Sequence, residues 1–416
     1  MRRGLILLVA VFILVPCFAW SAEIKVGCLY PLTGPAAKPG VDMKNAMELA
    51  ADIINNKYDL DLPFAKTEGI PNLGGAKLKL IFADHQANPQ LGMSEAERLI
   101  TQEKVVALMG SFYSSVTATA SQTAERLKIP FITPEATSPS LTERGFKWFF
   151  RITPHDDTMV GDFFVFLKEI EKTKGIRVKN LAILNENSLW GTDIGKAVTK
   201  FGNQYGYAIV KQIPYPATTT NVVSEVQLLK AANPDAIFMA SYGPDTILYF
   251  RTFKELNYTP KAILGMSGGF VSSEYIPALK QDGDYAFTRS LFSLDLGQKR
   301  PMIKVVNELF KKRYGVDLDQ GSARTFTAVL FLADALNRAK STDPEKLREA
   351  IASTDMDGKN LIVPWDGIKF DEKHQNLKGK TVILQILNQE YFTVWPFPLA
   401  TKELIWPMPE WDKRKK

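Results

Sequence analysis

From residue 24 onward, apolar residues follow two alternating rhythms. Short, unbroken apolar runs alternate with longer stretches in which apolar side chains recur every three or four positions. The runs predict buried strands over 24–30, 78–83, 105–109 and 130–132, and the longer stretches predict helices over 42–56 and 90–103 and from Ser115. Met43, Ala46, Met47, Ala50, Ile53 and Ile54 show the helical spacing. After Arg151 the pattern restarts: helices over 156–174, 191–205, 222–232 and 244–256 alternate with strands over 181–184, 208–213, 236–240 and 262–265. Two such series predict an α/β protein with two doubly wound parallel-sheet lobes. The final third differs. Helices over 301–314, 325–339 and 344–353 follow one another, and strands over 381–388 and 391–395 form a hairpin turning at Gln389-Glu390. Residues 58–75 read as a loop-like insertion, and the Pro- and Trp-rich stretch 396–411 as an irregular strap.

The chain has 416 residues, enough for two cores. Its 45% hydrophobic and 23% charged content is that of a soluble globular protein rather than a disordered chain or a fibre. The formal net charge of +6 is scattered apart from a short basic tail at 413–416, which argues against a nucleic-acid face. Residues 1–22 read as an export signal. Arg2-Arg3 precedes an apolar run from Leu5 to Val15, too short to span a bilayer, and small residues follow at Ala19, Ser21 and Ala22. Trp20 blurs the cleavage point. Cys17 raises a lipoprotein signal, but Pro16 stands where a small residue is wanted. After cleavage only Cys28 remains, so no internal disulfide forms, and its place in a strand predicts a small buried apolar residue. The mature chain is expected outside the cytoplasm, periplasmic or extracellular.

The segment 105–151 carries the most chemistry. Each of its strands ends in hydroxyl-bearing residues, and the first of these loops also starts a helix. In open parallel sheets, ligands sit beyond the carboxyl ends of strands, where helix N-terminal amides point outward. Two adjacent loops of this kind make half a binding site for a small polar molecule. Gly110 predicts a tight strand-to-helix turn, since no Gly-rich phosphate loop follows it. Gly265-Met266-Ser267-Gly268-Gly269 fits the G-x-S-x-G elbow of serine hydrolases, with His374 and Asp357, Asp366 or Asp371 downstream. That pattern is short and common by chance, and it falls late in the second lobe, so no enzyme is expected. His85, His155 and His374 lack ligand spacing, so neither metal nor cofactor is expected. His155-Asp156-Asp157 reads as a helix start favoured by the dipole, and Asp84-His85 as a strand end shaping the neighbouring loop.

Taken in order, IKVGCLYPLTGPAAKPG, IIN at 53–55, ADHQANP at 83–89, MGSFYSSVTATA, IPFITPEATSPSLT, FRITP, Trp190-Gly191 and Ser241-Tyr242 resemble the extracellular solute-binding proteins of branched-chain amino acid and amide uptake systems. The resemblance spans nearly the whole mature chain. It implies two lobes joined by a three-strand hinge, with ligand in the cleft between them. Lobe one would take 23–153 plus 289–370, lobe two 154–288 plus 371–396, and the strap 397–416. It implies capture of an amino acid, amide or small carboxylate by a monomer that delivers it to the permease and ATPase of an ABC importer. A sensor feeding a regulator is the alternative.

Carried over by position, Ser114 would bond a ligand carboxylate, with Ser115 starting the helix beside it. Thr137 would touch both ligand ends, with Ala136 next to it, while Trp190 and Tyr242 would close over the remainder. Ser114 could instead cap its helix, and Trp190 and Tyr242 could serve packing alone. Two positions depart from the family. Ser267 stands where amino acid binders carry a glutamate for the ligand ammonium, and Glu135 replaces an alanine in the lobe-one loop. Either Glu135 holds an ammonium from the opposite lobe, or it points outward and the ligand has no cation. Arg324 reads as a surface residue, with pairing to an acidic ligand as the other possibility.

Overall fold

In a computed structural model of the protein, residues 22–34, 37–217 and 219–414 are described. All but the last residue of the predicted export signal, Cys17 included, lies outside them.

The first series forms β1 (Glu23–Tyr30), α1 (Ala37–Asn55), β2 (Lys77–Asp84), α2 (Pro89–Thr101), β3 (Ala107–Gly110), α3 (Ser114–Leu127), β4 (Phe131–Thr133) and β5 (Phe149–Arg151). Its sheet runs in the order β2-β1-β3-β4-β5, and every pair is parallel. β1 sits inside this sheet with Val26, Cys28, Leu29 and Tyr30 fully buried, as an unbroken apolar strand should. Burial also raises the Cys28 thiol well above its ordinary range, which leaves it inert.

The second series forms α4 (Asp156–Lys174), β6 (Asn180–Glu186), α5 (Leu189–Tyr205), β7 (Ala208–Tyr215), α6 (Val223–Ala232), β8 (Ala236–Ala240), α7 (Gly243–Glu255), β9 (Ile263–Gly265), α8 (Tyr275–Leu279) and β10 (Phe287–Ser290). Helices α9 (Pro301–Tyr314), α10 (Gln320–Ala339) and α11 (Pro344–Ala352) follow. Then come the small pair β11 (Asp355–Asp357) and β12 (Gly367–Lys369), and the hairpin β13 (Val382–Leu387) and β14 (Glu390–Trp395). The second sheet runs β14-β13-β10-β9-β8-β6-β7. Its β6–β10 part is parallel, and the hairpin adds an antiparallel edge.

The chain crosses between the sheets after β5, after β10 and before β13. These crossings lie side by side. Arg151 bridges Gln375, the Asn376 side-chain amide donates to the Ile152 carbonyl at 2.8 Å, and Arg289 ion-pairs with Asp156. Helices α9 and α10 return to the first sheet, where Phe326, Val329 and Leu330 share one core with β1 and α1. α10 is buried on nearly every face from Gln320 to Ala333; the largely apolar run from Phe326 onward requires this, while its polar first turn is buried against the other lobe.

Several details differ from the sequence reading. α10 begins at Gln320 rather than at residue 325, because the Asp319 carboxylate accepts the Ser322 amide at 2.7 Å and caps an extra turn. Strands β5 and β10 are absent from the sequence pattern. Both are short, and each carries a buried arginine, Arg151 or Arg289, that breaks the apolar run. The hairpin turns at Asn388-Gln389, whose φ values of 53° and 63° suit a tight two-residue turn. The insertion over 58–75 is docked, with Ala65 and Ile70 fully buried and the Asn72 side-chain amide on the Asn337 carbonyl at 2.9 Å.

Candidate functional site

The carboxyl ends of β1, β3 and β4 face those of β6, β8 and β9 across a gap that narrows to a cavity of about 60 Å³. Its lobe-one wall begins where β3 turns. Gly110 has φ 138°, and a methyl group there would sit 2.3 Å from the Leu29 carbonyl oxygen, so the turn requires glycine. His85 fixes the next residue. Its Nε2 lies 3.0 Å from the Ser111 carbonyl, and its Nδ1 accepts the Ala87 amide at 3.1 Å. Those partners select the neutral tautomer with the proton on Nε2. Burial pulls the ring down to about 4, so it stays neutral.

Ser114 is the first residue of α3, and its hydroxyl accepts the Ser138 amide at 3.4 Å. It therefore ties the two lobe-one loops together rather than capping its own helix. The second loop follows β4. Thr133 Oγ1 accepts the Ala136 amide at 3.1 Å, and Arg151 donates to the Ser138 carbonyl at 2.5 Å and the Thr142 hydroxyl at 2.9 Å. These bonds hold Glu135 and Thr137 against the cavity. Tyr30 donates to Glu135 Oε1 at 2.9 Å, while Oε2 has no protein partner although the residue is only 4% exposed. Burial pushes this carboxyl up to about 7, against the opposing pull of Arg324. Arg324 is also 4% exposed and lines the cavity. Its Nη1 lies 3.4 Å from the Glu135 carbonyl and its Nε 3.2 Å from that of Gln320.

The lobe-two wall is aromatic. Glu186 accepts the Gly191 amide at 2.8 Å at the start of α5, which sets Trp190 facing the gap. Asp245 accepts the Tyr242 amide at 3.2 Å and the Tyr215 hydroxyl at 2.6 Å, which sets Tyr242 at the start of α7. Burial raises the Asp245 carboxyl to about 6. The Tyr242 ring then stands 4.8 Å from Trp190, 4.5 Å from Tyr113 and 5.8 Å from Phe112, so aromatic rings of both lobes meet over the cavity. The lobes also touch through Asp193, which accepts Ser138 at 2.5 Å and Ser140 at 2.9 Å, and through Ser273, which donates to Asp42 at 2.7 Å.

Of the residues singled out in the sequence, Ser114, Glu135, Thr137, Trp190, Tyr242 and Ser267 line this one cavity. Ser115 and Ala136 do not. Ser115 lies one step further round α3, and Ala136 packs with Leu141 and Phe149 beneath the loop. The outward-pointing Glu135 and the surface Arg324 are both overturned, since each is buried in the cavity wall. Trp190 serves two purposes, lining the cavity and joining the core of its lobe.

Sequence reasoning missed Phe112, Tyr113 and Arg289. The aromatic pair is legible in the loop leading to Ser114. Arg289 signals itself only as a charge inside a run of hydroxyl and apolar residues. The triad that the G-x-S-x-G spacing would need is not assembled. Ser267 donates to the Arg289 carbonyl at 3.0 Å. The histidines are engaged elsewhere: His85 on Ser111, His155 capping α4, and His374 on the Phe149 carbonyl. Among the described residues, no cluster of His, Cys, Asp and Glu could hold a metal, and no helix is long and apolar enough to cross a membrane.

Residues 23–390 match the family described as periplasmic binding protein. The Leu/Ile/Val-binding protein homolog 7 of Brucella melitensis is 29% identical over 417 residues, covering 98% of this chain and all of that one. Among solved structures, the leucine-binding protein LivK of Thermotoga maritima superposes with a TM-score of 0.76 at 22% identity, covering 89% of this chain and 97% of that one. A solute-binding protein of Rhodopseudomonas palustris in complex with benzoate superposes with a TM-score of 0.75 at 17% identity, covering 90% and 96%.

Proposed function

The chain belongs to the periplasmic binding protein family, and from that premise we propose that it captures a small polar solute between its two lobes and hands it to an ABC importer. The observation that carries this reading is the shared cavity. Hydroxyl-bearing loops of lobe one and aromatic side chains of lobe two line a single cavity, so a molecule within it touches both lobes only when they are closed. Differential affinity then drives the device, since binding to the closed form alone shifts the population toward it. Hinge closure around a ligand is a general property of periplasmic binding proteins.

Within this reading Ser114 and Thr137 supply hydroxyls to the polar part of the solute, and Trp190 and Tyr242 cover its body. Residues 1–22 export the chain. Its partners are a membrane permease and an ATPase, which recognise the closed lobe faces. Solutes of the classes named for similar proteins, an amino acid or a small carboxylate, match the mixed hydroxyl and aromatic lining of this cavity.

A thermal-shift screen against amino acids, amides, short-chain acids and aromatic acids tests the proposal. One class should raise the melting temperature progressively with concentration, and Tyr242→Ala should abolish that rise. A screen in which no compound shifts the transition would contradict solute capture.

A further inference from the structure

The cavity has a charged wall as well as an aromatic one, and the two together narrow the chemistry of the solute. Arg289 is 1% exposed and lines the cavity. It spends Nη2 on Asp156, while Nε and Nη1 have no protein partner. Arg324, 4% exposed on the same wall, meets only the backbone carbonyls of Gln320 and Glu135. A buried guanidinium with open N–H groups is costly unless an oxygen acceptor completes it.

The carboxylates of the cavity are less free to receive a cation. Asp319 is committed to the Ser322 amide as the cap of α10. Glu274 is half-buried at the rim, in the field of Lys38 and Asp42 from α1. Glu135 holds the Tyr30 hydroxyl and lies in the field of Arg324. Opposite stand the rings of Phe112, Tyr113, Trp190 and Tyr242.

We infer that the captured solute is a small carboxylate with a flat or apolar body and no ammonium group, its oxygens held by Arg289 and Arg324 beside Glu135. This rests on the capture reading above. Glu135 then acts as a donor. It is faced by Cys28 and Tyr30 of β1, Arg324 of α10 and the Phe112 backbone, while Asp319, which caps α10, and Arg289 of β10 line the same cavity. A carboxylate bound against it favours its neutral form, so Oε2 carries a proton and donates to the ligand. Binding above neutral pH therefore takes up a proton from solvent, and affinity falls as pH rises. A bound ammonium would do the reverse, ionising Glu135, releasing a proton and tightening with pH.

Matched pairs read this directly. Isocaproate is leucine without its amino group, and hydrocinnamate is phenylalanine without its own. Calorimetric titration of the full protein at about pH 6 and about pH 8, in buffers of different ionisation enthalpy, compares each pair. The expected result is that each acid binds at least about tenfold tighter than its amino acid, with proton uptake at the higher pH. Arg324→Gln should weaken isocaproate about 30-fold. Glu135→Gln, which keeps a donor, should hold affinity within about threefold while removing the proton uptake, a readout that a purely structural Glu135 would not move. Should Arg324→Gln fail to fold, Glu135→Gln decides the matter. Tighter binding of the amino acids, or proton release, overturns the inference. Silence from both pairs alongside a melting shift with an uncharged amide overturns it too, but leaves solute capture standing. Silence throughout the wider screen removes both.

Discussion

His85 shows how a residue outside the cavity sets its shape. The ring is neutral because it is buried and because Nδ1 must stay unprotonated to accept the Ala87 amide. Folded, it titrates at about 4 rather than 6.5, so between those values the unfolded chain binds a proton that the folded chain refuses. Its contribution is therefore complete above the unfolded value and is lost as pH falls toward the folded one, by roughly 3 kcal/mol in all. Glu135 runs the other way. Its folded carboxyl keeps a proton up to about 7, so the free protein loses stability as pH rises from the ordinary 4.5 toward that value. Urea unfolding of His85→Gln beside the unchanged protein separates the two. The variant should lose the acid-side decline, and equal declines in both would contradict this role. At this scale the hydroxyl residues are legible because Ser114 and Thr137 lie in the polar loops that directly follow apolar runs. Arg289 is not, because the partner that makes its burial tolerable, Asp156, lies 133 positions away in sequence.

Long elements are legible where one pattern decides them. α4 and α9 run from Asp156 to Lys174 and from Pro301 to Tyr314, matching their apolar spacing end to end. The start of α10 is missed because its first turn, Gln320–Arg324, is polar in sequence yet buried against the cavity. β5 and β10 escape for the related reason that tertiary partners, not pattern, hold three- and four-residue strands. The strap beyond β14 has no periodic pattern, and its contacts explain its aromatic content. Trp406 packs 5.5 Å from Phe287, the Trp411 indole donates to the Tyr258 carbonyl at 3.0 Å, and the buried Gln385 amide exchanges two bonds of 2.8 Å with Ile405. Deleting residues 404–416 should leave the Gln385 side-chain oxygen without its donor, its nitrogen keeping only the Tyr285 carbonyl, and uncover Phe287. The expected drop in melting temperature is at least about 5 °C, and calorimetry showing none would mean the strap is dispensable.

At the scale of the molecule, the two alternating series announce two lobes, because each repeats strand and helix often enough to close its own core. Their relation to each other is not legible. It depends on contacts between residues far apart in sequence: Asp193 with Ser138 and Ser140, Ser273 with Asp42, and Tyr242 with Tyr113. Hydrogen bonds and ring contacts of this kind are individually modest, so closure is poised for a solute to bias. Spin labels on Met93 of α2 and Leu228 of α6, exposed by 41% and 44%, report the separation of the lobes, and Cys28 is too buried to take a label itself. Capture by closure predicts that the compound giving the largest melting shift converts a broad distance distribution into a single, shorter one. A distribution unchanged at saturating compound would contradict capture by closure.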